Sequence, residues 1–312
     1  MEFLKNNKKN LLILFYWLVI VLIAAFHHEI WRDEAQSWCI ARDCSLLEIF
    51  KITSLEGHPL LWYLILFPFA KLGAPVETVN ILSFLFVFAA VIWIIFKSPF
   101  GNILKILSVF SSGMLYYLPV IARNYSLMPL CLMITADLYQ RRCEHPYKYA
   151  VSLIILSNTH VFAFGLCSVL FILFAFEKFK EFQKNRKYSI LFPVYLIAAD
   201  LVFLTASFLI RISSNHAVVN YMQTSKSFME NLQSFPLLFF EFNFLPDFIC
   251  IILFYSLNAV IAYTFFKYSK KLFAVYTIGA AFIFFVYSKI WFNGIHGQKA
   301  FMIMLVLLFC MY

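Results

Sequence analysis

The sequence predicts an all-α fold: a polytopic integral membrane bundle of about ten spans plus one juxtamembrane half-helix, forming a single transmembrane domain over residues 1–312. Three observations predict it. Of the 312 residues, 63% are hydrophobic and only 13% charged, against roughly a quarter charged in ordinary soluble domains. Apolar stretches of about 20 residues, long enough to cross a ~30 Å hydrocarbon core, recur along the chain. Sizeable polar stretches are confined to the loop 27–58, a basic stretch at 177–188 and the loop 211–235.

Lys5, Lys8 and Lys9 precede the apolar run 11–26 in the manner of a signal peptide, but Ala24-Ala25-Phe26 is a poor cleavage site, so an uncleaved first span is expected. Further spans are expected at about 79–96, 103–121, 125–140, 189–210, 246–266 and 272–288. The stretch 149–176 carries Asn158, Thr159 and His160 near its middle and reads as two short tilted helices meeting at the outer face. The chain stops at Tyr312, soon after Lys299 and inside an expected last span, which suggests a truncated product.

Residues 59–72 decide the topology, because the segment is short for a span and contains Pro68. If it does not cross, sixteen of the 25 Lys and Arg residues fall on the cytoplasmic side; if it crosses, only nine do. Positive-inside bias selects the first arrangement. It gives a multi-pass protein of the cytoplasmic membrane with its N-terminus in the cytoplasm. The outer face then holds the loop 27–58, residues 122–124, the His160 bend, the loop 211–235 and Lys299. Ten of the sixteen acids fall there too.

The net charge of +9 does not point to nucleic acid, since Lys and Arg sit in short clusters between apolar spans. Membrane lipids are the expected surroundings of the many Phe residues. The seven cysteines are scattered and no CxxC occurs, so neither a redox motif nor a cysteine zinc site is indicated. Cys39 and Cys44, on a helix, would stand roughly 8 Å apart, beyond disulfide reach.

Four outer-face features could carry chemistry. The first is Trp31-Arg32-Asp33-Glu34, where adjacent acids can serve as general base, metal ligand or electrostatic stabiliser. Neighbours on a helix point about 100° apart, so one acid can face a substrate while the other pairs with an arginine; a plain solvated acidic loop is the bland alternative. The second is Glu56-Gly57-His58-Pro59, an ordinary helix start unless His58 reaches back to the acids. The third is Arg123-Asn124-Tyr125-Ser126, where the guanidinium suits a phosphate or carboxylate but could equally snorkel to lipid headgroups. The fourth is the pair His160 and Lys299 near the outer boundary. Within spans, Asp137 is expected to pair with Arg141, four residues on. Asp200 is either functional or a buried partner of Arg123 or Arg211. Walker, dinucleotide, GxSxG and HExxH motifs are all absent.

The order of Asp33-Glu34, His58-Pro59-Leu60-Leu61-Trp62-Tyr63, Arg123-Asn124-Tyr125-Ser126-Leu127 and Thr159-His160 resembles the GT-C glycosyltransferases. Protein-mannosyltransferase and aminoarabinose-transferase-like enzymes are the nearest type. The similarity covers roughly residues 10–180, with Leu60 standing where members often carry a second proline. The resemblance implies an inverting transfer of sugar from a polyprenyl-phosphate donor to a glycan, lipid or protein acceptor of the cell envelope. In that frame Asp33 would deprotonate the acceptor, and Arg123 or Lys299 would stabilise the departing phosphate. His58 and Glu34 would orient the donor or help hold a divalent cation, with metal use varying across the superfamily. Tyr125 and His160 would line the donor site. The rival class is a flippase or transporter of lipid-linked sugars, with Arg123 gripping phosphate and no bond broken; no internal repeat supports it.

Overall fold

The computed structural model describes residues 7–56, 59–214, 227–240, 245–289 and Met304, and the side chains of 53–56 and 208–214 lie outside that description. Among the described residues every regular element is helical. In chain order these are α1 (Lys8–Phe26), α2 (Arg32–Asp43), α3 (Leu46–Glu56), α4 (Leu61–Lys71), α5 (Thr78–Phe96) and α6 (Asn102–Val109). A π-turn (Gly113–Tyr117) and a 3₁₀ turn (Asn124–Leu127) lead into α7 (Met128–Gln140), α8 (Pro146–Ser157) and α9 (Val161–Asn185). After a second 3₁₀ turn (Tyr188–Ile190) come α10 (Phe192–Ser214), α11 (Phe228–Leu237), α12 (Asp247–Tyr268) and α13 (Lys270–Lys289).

Five of these helices, α1, α5, α9, α12 and α13, are long and apolar enough to cross a membrane. Their outward faces agree with that. Helix α1 buries only the stripe Ile13, Trp17 and Val21, leaving Leu12, Phe15, Ile23 and Phe26 exposed. Helix α12 likewise exposes Phe248, Ile252, Leu257, Val260 and Tyr263. Water would not tolerate so continuous an apolar surface, whereas lipid does. The chain is a membrane protein.

Five such helices are fewer than the ten spans expected, and the differences have local causes. The stretch 103–121 is not one helix. Ser111-Ser112-Gly113 and Pro119 interrupt it, because serine and glycine propagate a helix poorly and proline lacks the N–H. The chain instead runs through the π-turn into extended backbone at Arg123. Irregular backbone at membrane depth is tolerated only when protein covers it, and Leu118, Val120, Ile121 and Ala122 are all buried. The bend predicted in 149–176 is present at Asn158–His160, but only the first of its two helices is short; α9 runs for 25 residues. The expected last span, with Lys299, lies outside the described residues.

Helix α4 is short for a span, as its sequence predicts. Its 11 residues rise only about 16 Å, half of a hydrocarbon core. It buries Trp62, Tyr63, Leu66 and Ala70 and packs along α2, where Lys71 Nζ donates to the Arg42 carbonyl at 2.6 Å. The chain leaves α1 beside Glu34 and re-enters at Asn80 of α5, which donates to that same Glu34 at 3.1 Å. Both ends of the connection therefore sit at one end of the bundle.

The opposite end is basic. Glu177 receives Arg142 through two bonds of 2.8 and 2.9 Å and Lys271 through one of 2.7 Å, tying the ends of α7, α9 and α13 together. The hydrogen bond to Glu177 raises the Arg142 guanidinium above its ordinary range, and its Cζ sits 4.0 Å from the Tyr139 ring. Asp137 pairs with Arg141 as its spacing predicts.

Helices α9 and α13 pack closely because residue 165 is glycine. A Cβ there would lie 2.0 Å from Cδ1 of Phe282, a contact the packed ring cannot absorb. Gly165→Ala is expected to cost about 1–3 kcal/mol and to lower the apparent melting temperature in detergent. Combining it with Phe282→Ala should recover part of that loss, and purely additive effects would show that the contact is unimportant.

Candidate functional site

The site is assembled around the turn that starts α2. Glu34 stands at the third helical position and its Oε2 accepts the Trp31 backbone N–H at 2.6 Å, closing the helix start on itself. The same oxygen receives His28 Nε2 at 2.9 Å, which fixes the proton on that nitrogen. The other oxygen, Oε1, accepts Asn80 Nδ2 from α5 and the backbone N–H of Ala122. Four donors thus occupy the four lone-pair positions of a carboxylate that is 0% exposed.

This differs from the expectation that Glu34 works chemically. With every lone pair committed to the protein, it is not positioned to receive a substrate proton, to orient a donor or to ligate a cation. It joins three segments that are distant in sequence: the end of α1, the start of α5 and the irregular run before Arg123.

Asp33, the neighbouring residue, points another way. Its Oδ2 accepts Nη1 of Arg123, while its Oδ1 lies 3.5 Å from Nε of the solvent-exposed Arg32. The Asp33 side chain is 40% exposed and that of Arg123 13%. Adjacent acids a helical step apart divide the work: one pairs with an arginine at the surface and the other is consumed inside.

Arg123 is carried on fixed backbone. Its N–H reaches Ser126 Oγ at 3.4 Å, the preceding N–H is held by Glu34, and Asn124 Nδ2 donates to the Thr159 carbonyl at 2.7 Å. Asn124 is 2% exposed and its Oδ1 finds no donor among the described residues. The Tyr125 ring centroid is 6.0 Å from Arg123 Cζ and 6.2 Å from the His160 ring, which it meets edge-on. Burial pushes the Tyr125 phenol above its ordinary range, with Arg123 only partly opposing this, so the group is a donor rather than a base.

His160 has a structural task. Its Nδ1 accepts the Phe162 N–H at 3.3 Å and caps α9, leaving the ring proton on Nε2. Asp200 is not paired with Arg123, and the side chain of Arg211, the other arginine anticipated for it, lies outside the described residues. Its oxygens instead accept Ser157 Oγ and Asn158 Nδ2, each at 2.7 Å, clamping the His160 bend to α10.

Asp33, Arg123, Tyr125 and His160 therefore form one chain of contacts at one end of the bundle. His58 and Lys299 lie outside the described residues. No family model matches the chain, and no curated protein or solved structure matches it significantly. The site stands on its geometry alone.

The sequence argument missed His28 and Asn80. A single asparagine opening the otherwise apolar run of α5 was the available signal, since a polar side chain there needs a partner. Among the described residues no three His, Cys, Asp or Glu side chains gather as a metal site.

Proposed function

We propose that the chain is a GT-C-type membrane glycosyltransferase that moves a sugar from a polyprenyl-phosphate carrier to a cell-envelope acceptor on the extracytoplasmic face. The observation that carries this is the Asp33–Arg123 pair at one end of the bundle, a carboxylate and a guanidinium within reach of a single reacting centre. Inverting transfer needs those two groups. The acceptor hydroxyl oxygen attacks the anomeric carbon as the bond from that carbon to the phosphate oxygen breaks. The polyprenyl phosphate leaves with the bonding electrons, and the hydroxyl proton passes to Asp33.

Arg123 meets the charge that develops on the leaving phosphate, and its planar fork fits two phosphate oxygens at once. Tyr125 supplies a further donor beside it. The clustering of Lys and Arg at the opposite end favours that end as cytoplasmic, which would put this site outside and the N-terminus inside. A half-membrane α4 beside the site suits a prenyl chain entering sideways from lipid.

The test is transfer by the purified protein in proteoliposomes, given a panel of polyprenyl-phospho-hexoses and -pentoses with membrane extract as acceptor source. Free polyprenyl phosphate should appear together with glycosylated acceptor. Arg123→Gln should slow release about 10²- to 10³-fold. Donor that crosses the bilayer intact, with no phosphate ester released, would replace this reading with the transporter.

A further inference from the structure

The ion pair that supports the proposed function also poses a difficulty for it. In the structure Asp33 Oδ2 is engaged by Arg123, and its other oxygen faces Arg32. A carboxylate ion-paired to a guanidinium is a weaker proton acceptor than a free one, and a guanidinium that holds a carboxylate offers fewer N–H groups and less net charge to a phosphate. One event resolves both. We infer that the phosphate of the lipid-linked donor displaces Asp33 from Arg123, so that donor binding itself releases the base. This rests on the glycosyltransferase reading and adds an order of events to it.

The geometry assigns the moving part. Arg123 is fixed through its backbone: the Ala122 N–H is held by buried Glu34, its own N–H by Ser126, and Asn124 by the Thr159 carbonyl. The α2 backbone at Asp33 is equally fixed, because Glu34 closes the Trp31 turn and Ser37 Oγ donates to the Asp33 carbonyl at 3.0 Å. What can rotate is the Asp33 side chain, the more exposed member of the pair. Arg32, whose side chain is 92% exposed, offers the displaced carboxylate a second cation at little cost. The exchange also balances charge, because a sugar phosphodiester carries one negative charge and replaces one carboxylate at Arg123.

A built-in competitor has a signature that a simple base lacks. Removing its charge should strengthen phosphate binding even as it destroys transfer. The probe is polyprenyl phosphate titrated into the full-length protein in phosphatidylcholine nanodiscs. Asp33→Asn, and independently Asp33→Ser, should bind it about tenfold more tightly than wild type, equivalent to about 1.4 kcal/mol. Arg123→Gln should bind it at least tenfold more weakly.

Unchanged or weaker binding in both Asp33 variants, with Arg123→Gln still impaired, overturns the displacement and leaves the glycosyltransferase reading standing. Unchanged binding in Arg123→Gln removes the phosphate site and with it both proposals. The same gain produced by phosphatidylglycerol discs without probe would mean that Arg123 reads a bilayer headgroup, and the inference would fall.

Discussion

Replacing Glu34 with glutamine is expected to destabilise the protein by about 3–5 kcal/mol, although the two side chains have nearly the same shape. The carboxylate accepts from His28, Trp31, Asn80 and Ala122 with no exposure to solvent. Glutamine keeps one acceptor oxygen and turns the other position into an NH₂ donor. Two of the four donors then face another donor, and each buried group left unpaired costs about 1–3 kcal/mol. The measurement is the apparent melting temperature of the detergent-solubilised protein. Asp137→Asn serves as control, since its pair with Arg141 is half exposed and should change stability by less than about 1 kcal/mol. Equal melting of the two variants would mean that the four bonds to Glu34 do not hold the site together. Transfer should fall with stability in Glu34→Gln, because the bond to Ala122 is what presents Arg123 to Asp33.

The sequence carried the class of the fold and the positions of the longest helices, because those follow from composition and length. Helices α1, α5, α12 and α13 lie within a few residues of the apolar runs that announce them. It failed where an apolar run is not a helix. Between Gly101 and Arg123 hydropathy stays high, yet Ser111, Ser112, Gly113 and Pro119 decide the backbone, and the irregular part survives because neighbouring helices bury it. Averaged hydropathy does not register four breakers scattered through a greasy stretch.

The candidate site was legible in its members and not in their division of labour. Asp33, Arg123, Tyr125 and His160 were named from residue type and order, and they are in contact. Nothing in Asp33-Glu34 says which acid is buried. That is settled by Asn80 and the Ala122 N–H, which are 46 and 88 residues away from Glu34. Charge bias sums over many loops, so a misread span length shifts the expected topology little. The 11 residues of α4 agree with a segment short for a span.

Asp33→Asn is expected to reduce sugar transfer by about 10²- to 10⁴-fold, the range ascribed to a positioned general base, while leaving the fold unchanged. Asparagine keeps the side-chain shape and one oxygen for Arg123, and the position is 40% exposed, so no buried group is orphaned. Melting temperature should therefore move little, in contrast to Glu34→Gln one residue away. The two neighbours thus separate cleanly: one substitution costs stability and activity together, the other costs activity alone. The loss should appear in kcat, because proton removal belongs to the transition state, while KM for the donor falls because Asp33 no longer competes for Arg123. Transfer that persists at more than about a tenth of the wild-type rate would exclude Asp33 as the base. The acceptor proton would then need another route, and neither the saturated Glu34 nor the protonated Tyr125 phenol provides one.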